Sequence, residues 1–229
     1  MSTASKQEFD RFAANYQHVL DEAVRFSGDG GAYFAGVKAR YIRDFVGAGF
    51  SGTVLDYGCG IGLLTGLLKD YLPAARLDGF DVSDDSIRRV SRALMAQGQF
   101  TSDATQLAHD YHLIVVANVM HHIAPEQRQE VVQDLAHRLS PGGMLAIFEH
   151  NPANPITRWV VERCPFDEDA ILLPAVETCA YLSRAMLRQL RLDYIVFMPR
   201  VLAWLRPLER WLAWLPMGAQ YAIVAEKHA

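Results

Sequence analysis

The sequence predicts an α/β fold in one domain: a mostly parallel sheet, doubly wound, with helices on both faces. Three observations predict it. Short apolar runs alternate with longer amphipathic stretches from residue 53 onward. A glycine-rich segment follows the first apolar run directly. No repeat, low-complexity tract or Ser/Gly linker divides the 229 residues, and 51% of them are hydrophobic, enough for a substantial core.

The elements are expected in the following order. Phe9, Phe12, Ala13 and Tyr16 recur at helical spacing, and GAYFAGVKARYIRDF runs on to Phe45. Strands are read at Thr53 to Tyr57, Leu77 to Asp81, Gln99 to Ser102, Leu113 to Asn118 and Met144 to Glu149. Helices lie between them at Leu63 to Tyr71, at Ser83 to Ala96 with Ser83 as N-cap and Asp84 and Asp85 favouring the dipole, and at Pro125 to Leu139. Pro152, Pro155 and Pro165 in NPANPITRWVVERCPFDEDAILL predict a short helix and an ordered loop. A helix near Glu177 to Leu190 and strands at Leu192 to Phe197 and Gln220 to Ala225 complete the chain. Between the last two strands, Val201, Trp204, Leu205, Leu208, Trp211, Leu212 and Leu215 fall at helical spacing, with Arg206, Glu209 and Arg210 elsewhere on the wheel. Pro207 kinks that stretch or starts a second short helix.

Composition narrows the setting. No apolar run approaches the roughly 20 residues that cross a bilayer, and the polar start lacks a signal-peptide core, so a cytoplasmic protein is expected. Cys59, Cys164 and Cys179 are widely spaced with no CxxC pair, which indicates neither a disulfide framework nor a zinc site; no metal is expected. The net charge of -4 gives no support for nucleic acid as a partner. From Tyr181 onward, however, seven Lys and Arg face three acids, a basic segment on an acidic body.

In an open parallel sheet, ligands bind beyond the carboxyl ends of the strands. Gly58, Gly60 and Gly62 follow the first strand, and without Cβ atoms they let the backbone turn sharply and approach a ligand at the next helix N-terminus. The dinucleotide pattern G-x-G-x-x-G would put its third glycine at position 63, where this chain has Leu63; that mismatch argues against NAD. Asp56 adds a carboxylate at the strand end, suited to a ligand bearing an ammonium and a sulfonium.

VLDYGCGIG, residues 54–62, resembles the first motif of the class I S-adenosylmethionine-dependent methyltransferases. GFDVS, SDAT, NVMHHI and LSPGGMLAIFEHNP continue the resemblance in register over about residues 50–152. It implies a Rossmann-like sheet of seven strands with the last antiparallel, and S-adenosyl-L-methionine as cofactor. It also implies three segments: an N-terminal helical lid at 1–48, a cofactor-binding core at 49–150, and an acceptor-side half at 151–229 with a helical insertion at 199–217. Carried over by position, Asp56, Tyr57, Gly58, Gly60 and Gly62 hold the cofactor. Asp81, beside Val82, accepts from both ribose hydroxyls. Ser102, Asp103 and Ala104 meet the adenine edge, and Asn118 lies near the methionine moiety. Tyr16 and Tyr33 are candidate aromatic contacts to the sulfonium.

Methyl transfer from a sulfonium needs positioning and, for a protic acceptor, a base. Candidate bases are His121, His122, His150 and Glu149, with Glu149 alternatively orienting a histidine and His150 alternatively holding the loop after strand five. The sequence after strand four, Asn118-Val119-Met120-His121, lacks the Asn-Pro-Pro-aromatic pattern of members that methylate planar amides or bases. The expected acceptor is therefore a small or lipid-like molecule, with oxygen favoured slightly over carbon or nitrogen. Arg158 and Arg163 are candidates for an anionic group on it. Three readings of the tryptophan-rich insertion stand: packing on the domain or a dimer partner, a lid over a hydrophobic acceptor, or peripheral contact of 199–217 with an anionic membrane. The competing class is a non-catalytic cofactor-binding or interaction protein.

Overall fold

The computed structural model describes residues 29–164, 167 and 169–228. Phe9, Phe12, Ala13, Tyr16 and Pro165 lie outside the described residues. The chain runs α1 (Gly31–Val46), β1 (Thr53–Tyr57), α2 (Leu63–Tyr71), β2 (Arg76–Phe80), α3 (Asp84–Arg89), α4 (Arg92–Met95), β3 (Phe100–Thr101) and β4 (Tyr111–Ala117). It continues as α5 (Pro125–Arg138), β5 (Leu139–His150), α6 (Pro155–Val161), α7 (Ala175–Arg184), β6 (Leu187–Ile195), α8 (Glu209–Leu212) and β7 (Gln220–Lys227).

Seven strands form one sheet in the order β3-β2-β1-β4-β5-β7-β6. β1 to β5 pair in parallel, whereas β7 is inserted antiparallel between β5 and β6. Alternate side chains of the central strands feed two separate cores, which is why their sequences are apolar without a break. On one face Val54, Leu113, Val115, Ala146, Phe148 and Val224 pack under Ala35, Ala39 and Ile42 of α1 and Leu64 and Leu68 of α2. On the other, Leu55, Ile114, Val116, Leu145, Ile147 and Ile223 meet Val132 and Leu135 of α5 and Tyr181 and Leu182 of α7. The strand order reverses between β1 and β4, so the crevice above their carboxyl ends is where a ligand fits.

Four boundaries differ from expectation by more than two residues. The helix read over Ser83 to Ala96 is two helices: Val90 is extended (φ -56°, ψ 135°) and buried, and the Ser91 side chain accepts from Leu94 N to start α4. Ser83 does cap α3, accepting from Ser86 N at 3.1 Å. Strand five begins at Leu139 rather than Met144, with Gly142 at φ 73° carrying the backbone through residues that read as a turn. The helix read to Leu190 stops at Arg184, and Met186 (φ 59°) redirects the chain so that Leu187 already belongs to β6.

Arg128 of α5 braces the segment that follows β4. It is 1% exposed, and its guanidinium donates to the carbonyls of Ile123 (2.9 Å) and Ile171 and reaches Glu177. Removing it strands the buried Ile123 carbonyl and the part-buried Ile171 carbonyl, a loss of about 1–3 kcal/mol for the buried one and less for the other. Arg128→Ala should therefore lower unfolding stability by about 3 kcal/mol in urea denaturation; a loss under about 1 kcal/mol would contradict this role.

Candidate functional site

One cavity of about 240 Å³ opens at the carboxyl ends of β1, β2, β4 and β5, beneath α1. Asp56, Tyr57, Gly58, Gly60, Asp81, Val82 and Asn118 line one part of it; His121, His122, His150, Asp167, Thr157 and Gln220 line another. Gly62, Ser102, Asp103 and Ala104 do not line it.

The glycine loop is held by the end of β2. Gly58 N and Cys59 N both donate to the Phe80 carbonyl, at 2.7 and 2.9 Å. Gly58 has φ 82°, and a Cβ there would stand 2.2 Å from Val119 Cγ2; only glycine fits. Asp81, one residue past β2, accepts from Gly60 N (2.8 Å) and Ser83 N (2.9 Å), so its carboxylate is fixed at the cavity wall by backbone donors. Asp56 is buried and accepts from Thr65 Oγ1 at 2.6 Å, and burial pushes its carboxyl up to about 6. Asn118, the residue after β4, is in the left-handed region (φ 57°), and its buried side-chain oxygen has no hydrogen-bond partner among the described residues. An orphaned acceptor of this kind faces a missing donor.

The segment predicted at the adenine edge is occupied differently. Ser102 Oγ binds Asp84. Asp103 is exposed and caps a 3-10 turn, accepting from Thr105 N and Oγ1 at 2.9 and 2.7 Å, which lowers its pKa. Ala104 O accepts from Arg138. Tyr33 also turns away: the Arg206 guanidinium covers its ring at 4.0 Å, and Phe34 lines the cavity instead.

Five titratable residues converge at the ends of β4 and β5. Glu149, fully buried at the end of β5, accepts from Val119 N (2.9 Å), Met120 N (2.7 Å) and His121 Nδ1 (2.5 Å). His121 Nε2 reaches Asp167 Oδ1 at 3.2 Å, so both of its ring nitrogens are engaged and the ring is 1% exposed. Burial alone would favour neutral His121, but Glu149 and Asp167 outweigh it and raise its pKa to about 9. Burial, reinforced by the His121 charge, lowers His122 to about 3 and His150 to about 4. A cationic ring thus lies among neutral ones, with centroids 4.1 Å from His122 and 5.2 Å from His150. The loop after β5 is held by Asn151 rather than His150: Asn151 Nδ2 donates to the carbonyls of Pro216 and Gly218, at 3.2 and 2.8 Å.

Three cavity residues escaped the sequence reading. Lys38 is the one Lys or Arg lining the cavity among the described residues; it is 4% exposed, and burial lowers its pKa to about 8 against the pull of Glu149 and Asp56. It shares the inward stripe of α1 with Gly31, Ala35, Ala39 and Ile42, and a lysine on that stripe was the legible signal. Asp167 sits in an acidic run that no periodicity marks. Gln220 pairs with His150 across β5 and β7, and its buried Oε1 lacks a partner. Arg158 and Arg163 do not line the cavity; Arg163 stacks on Trp159 at 4.4 Å. None of the three cysteines is in a disulfide, and Cys59 and Cys164 line the cavity.

Residues 55–145 match the family model described as a methyltransferase domain. The sheet order and the glycine loop after β1 fit a methyltransferase domain over that segment. The chain is 33% identical over 101 residues to an uncharacterized methyltransferase of Staphylococcus carnosus, 43% of this chain and 47% of that protein. It is 32% identical over 118 residues to trans-aconitate 2-methyltransferase of Azoarcus, 50% of this chain and 46% of that one. The chain thus spans about half the length of these curated relatives. Among solved structures, magnesium protoporphyrin IX methyltransferase of Synechocystis with bound SAH shares the fold at a TM-score of 0.67 and 13% identity, over 98% of both chains.

The histidine cluster makes stability depend on pH in both directions. His121, raised in the fold, contributes stability that is fully present below its ordinary value near 6.5 and is lost as pH rises through about 9. His122 and His150, lowered in the fold, withdraw stability as pH falls below 6.5 toward 4. Urea unfolding from pH 4 to 9, in buffer with EDTA, should peak near neutrality. His121→Asn should flatten the alkaline limb, and an alkaline limb identical to that of the unsubstituted protein would refute the assignment.

Proposed function

We propose that the protein transfers a methyl group from S-adenosylmethionine to an oxygen of a small or lipid-like acceptor. The carrying observation is the division of one cavity into a part matching the cofactor's polar groups and a part lined by neutral imidazoles. The first part fits the cofactor. Asp81 offers a carboxylate already ordered for a ribose diol, the orphaned Asn118 oxygen suits the methionine ammonium, and Lys38 suits its carboxylate. Asp56 adds negative charge beside the glycine turn.

Bound S-adenosylmethionine supplies an electrophilic methyl whose sulfur leaves as a neutral thioether. The chain has to position the acceptor and take up its proton. A neutral imidazole has a lone pair for a hydroxyl proton, whereas cationic His121, clamped by Glu149 and Asp167, has none. His121 and Glu149 are accordingly positioning residues, and His122 and His150 face the acceptor. Ile156, Val160 and Phe34 give the cavity an apolar wall, which supports an acceptor with a hydrocarbon body.

The tryptophan-rich insertion supports peripheral contact with an anionic membrane. It joins the domain through its polar side: Arg206 pairs with Asp29 and covers Tyr33, while Glu209 accepts from Phe197 N and Met198 N. Its tryptophans turn outward, Trp204, Trp211 and Trp214 each 66–75% exposed with Arg210 over the Trp211 ring, while Leu205, Leu212 and Leu215 are half-buried. Among the described residues it packs on nothing that buries this stripe. No helix of the described residues is long and apolar enough to cross a membrane.

Calorimetric titration should give one S-adenosylmethionine site per chain, weakened about 10- to 100-fold in Asp81→Ala by the lost charge-assisted hydrogen bonds. Absence of binding would favour a non-catalytic interaction protein. The double variant Trp204→Glu, Trp211→Glu should cosediment far less with anionic liposomes at low salt while binding the cofactor as before. Failure of the unsubstituted protein to cosediment would exclude the membrane contact.

A further inference from the structure

His121, His150 and Asp167 come from three separate segments, yet they present one ligand atom each within 4.8 Å of the others at the acceptor side of the cavity. We propose that this is a binding site for a divalent first-row transition-metal ion, with His121 Nε2, a ring nitrogen of His150 and the Asp167 carboxylate as its protein ligands.

Four observations carry the assignment. Two ligand atoms at metal distances of about 2.1 Å in a tetrahedral arrangement lie about 3.4 Å apart, and His121 Nε2 and Asp167 Oδ1 stand at 3.2 Å. That pair has the spacing a metal would impose. The second observation is Glu149, which holds the far nitrogen of the His121 ring at 2.5 Å and is itself fixed by Val119 N and Met120 N. A metal-binding histidine characteristically has its other nitrogen held by a carboxylate, which sets the tautomer and aims the ring. Third, the His150 ring has no hydrogen-bond partner among the described residues although it lines the cavity, and its centroid lies 5.2 Å from that of His121. Fourth, Gln220, paired with His150 across the strands, directs an unpartnered buried oxygen to the same region, where a metal-bound water would supply the missing donor.

Two imidazoles and one carboxylate suit Zn²⁺, Mn²⁺ or Fe²⁺ rather than Ca²⁺, which prefers an all-oxygen shell. Three protein ligands leave positions open, so the ion can take an oxygen of the acceptor. In metal-free protein the Nε2 proton of His121 offsets the carboxylates; the ion replaces that proton, and Glu149 keeps the one at Nδ1. The site is separate from the methyl-donor residues, so its existence and the methyl-transfer reading can fail independently.

The test uses untagged full-chain protein, stripped with EDTA and dialysed, then titrated with Co²⁺ by visible absorption and with Zn²⁺ by calorimetry. One ion per chain is expected, with cobalt d–d bands perturbed from those of the aqueous ion by nitrogen coordination. His150→Gln and Asp167→Asn, read independently, should each weaken Zn²⁺ binding more than about tenfold, and Glu149→Gln about 10- to 100-fold. S-adenosylmethionine titration of each variant reports that the fold and the methyl-donor site persist. Asp167 lies outside the sheet, so its variant keeps the test decisive if the His150 variant does not fold. No saturable uptake, or unchanged affinity in a folded His150 or Asp167 variant, overturns the metal site. Metal uptake without cofactor binding would overturn the methyl-transfer reading instead.

Discussion

The buried carboxylate of Glu149 is the constraint on which the site depends. A charge with no exposure at the end of a central strand is tolerated because three donors meet it: two backbone amides from the segment after β4 and one imidazole. Those bonds turn the chain as it leaves β4 and set Val119 beside Gly58. The same bonds hold His121 upright between two carboxylates. Arg128 supports the turn from below through the Ile123 and Ile171 carbonyls, and Ile171 N in turn donates to the His121 carbonyl. The glycine loop and the histidine cluster are thus two sides of one braced turn.

Charge is distributed across the cavity so that each buried ion has an opposite. Lys38 stands near Asp56 and Glu149, and His121 between Glu149 and Asp167. In a low-dielectric wall such pairs hold geometry, since a ligand meets dipoles and charges already in place. The neutral rings follow from burial first and then from the same arrangement, since one cationic imidazole makes a second beside it expensive; His122 and His150 stay uncharged.

The insertion before β7 reverses the usual sense of an amphipathic segment. Arg206 and Glu209 are directed toward the domain, where Asp29, Tyr33 and the amides of Phe197 and Met198 receive them. The tryptophans are left outside. Helical periodicity marks the stripe but carries no sign for which face is buried; that depends on which partners the neighbouring loops supply.

The sequence by itself determined the sheet, because strands buried on both faces must be apolar throughout and the helices between them must alternate. It also determined the glycine turn, from Gly58, Gly60 and Gly62 directly after the first strand, whereas the contact with Val119 that admits no Cβ at Gly58 is tertiary. The cavity carboxylates Asp56 and Asp81 followed from their places at strand ends. Tertiary structure decided what depends on contact between distant segments. Asp167 lies 46 residues from His121 and Glu149 lies 28, and only folding shows that the three form one hydrogen-bonded line. Proton positions on the three histidines, the burial of Lys38 and the outward face of the insertion are of the same kind. Each is set by the field and packing of residues remote in the chain, which local pattern does not encode.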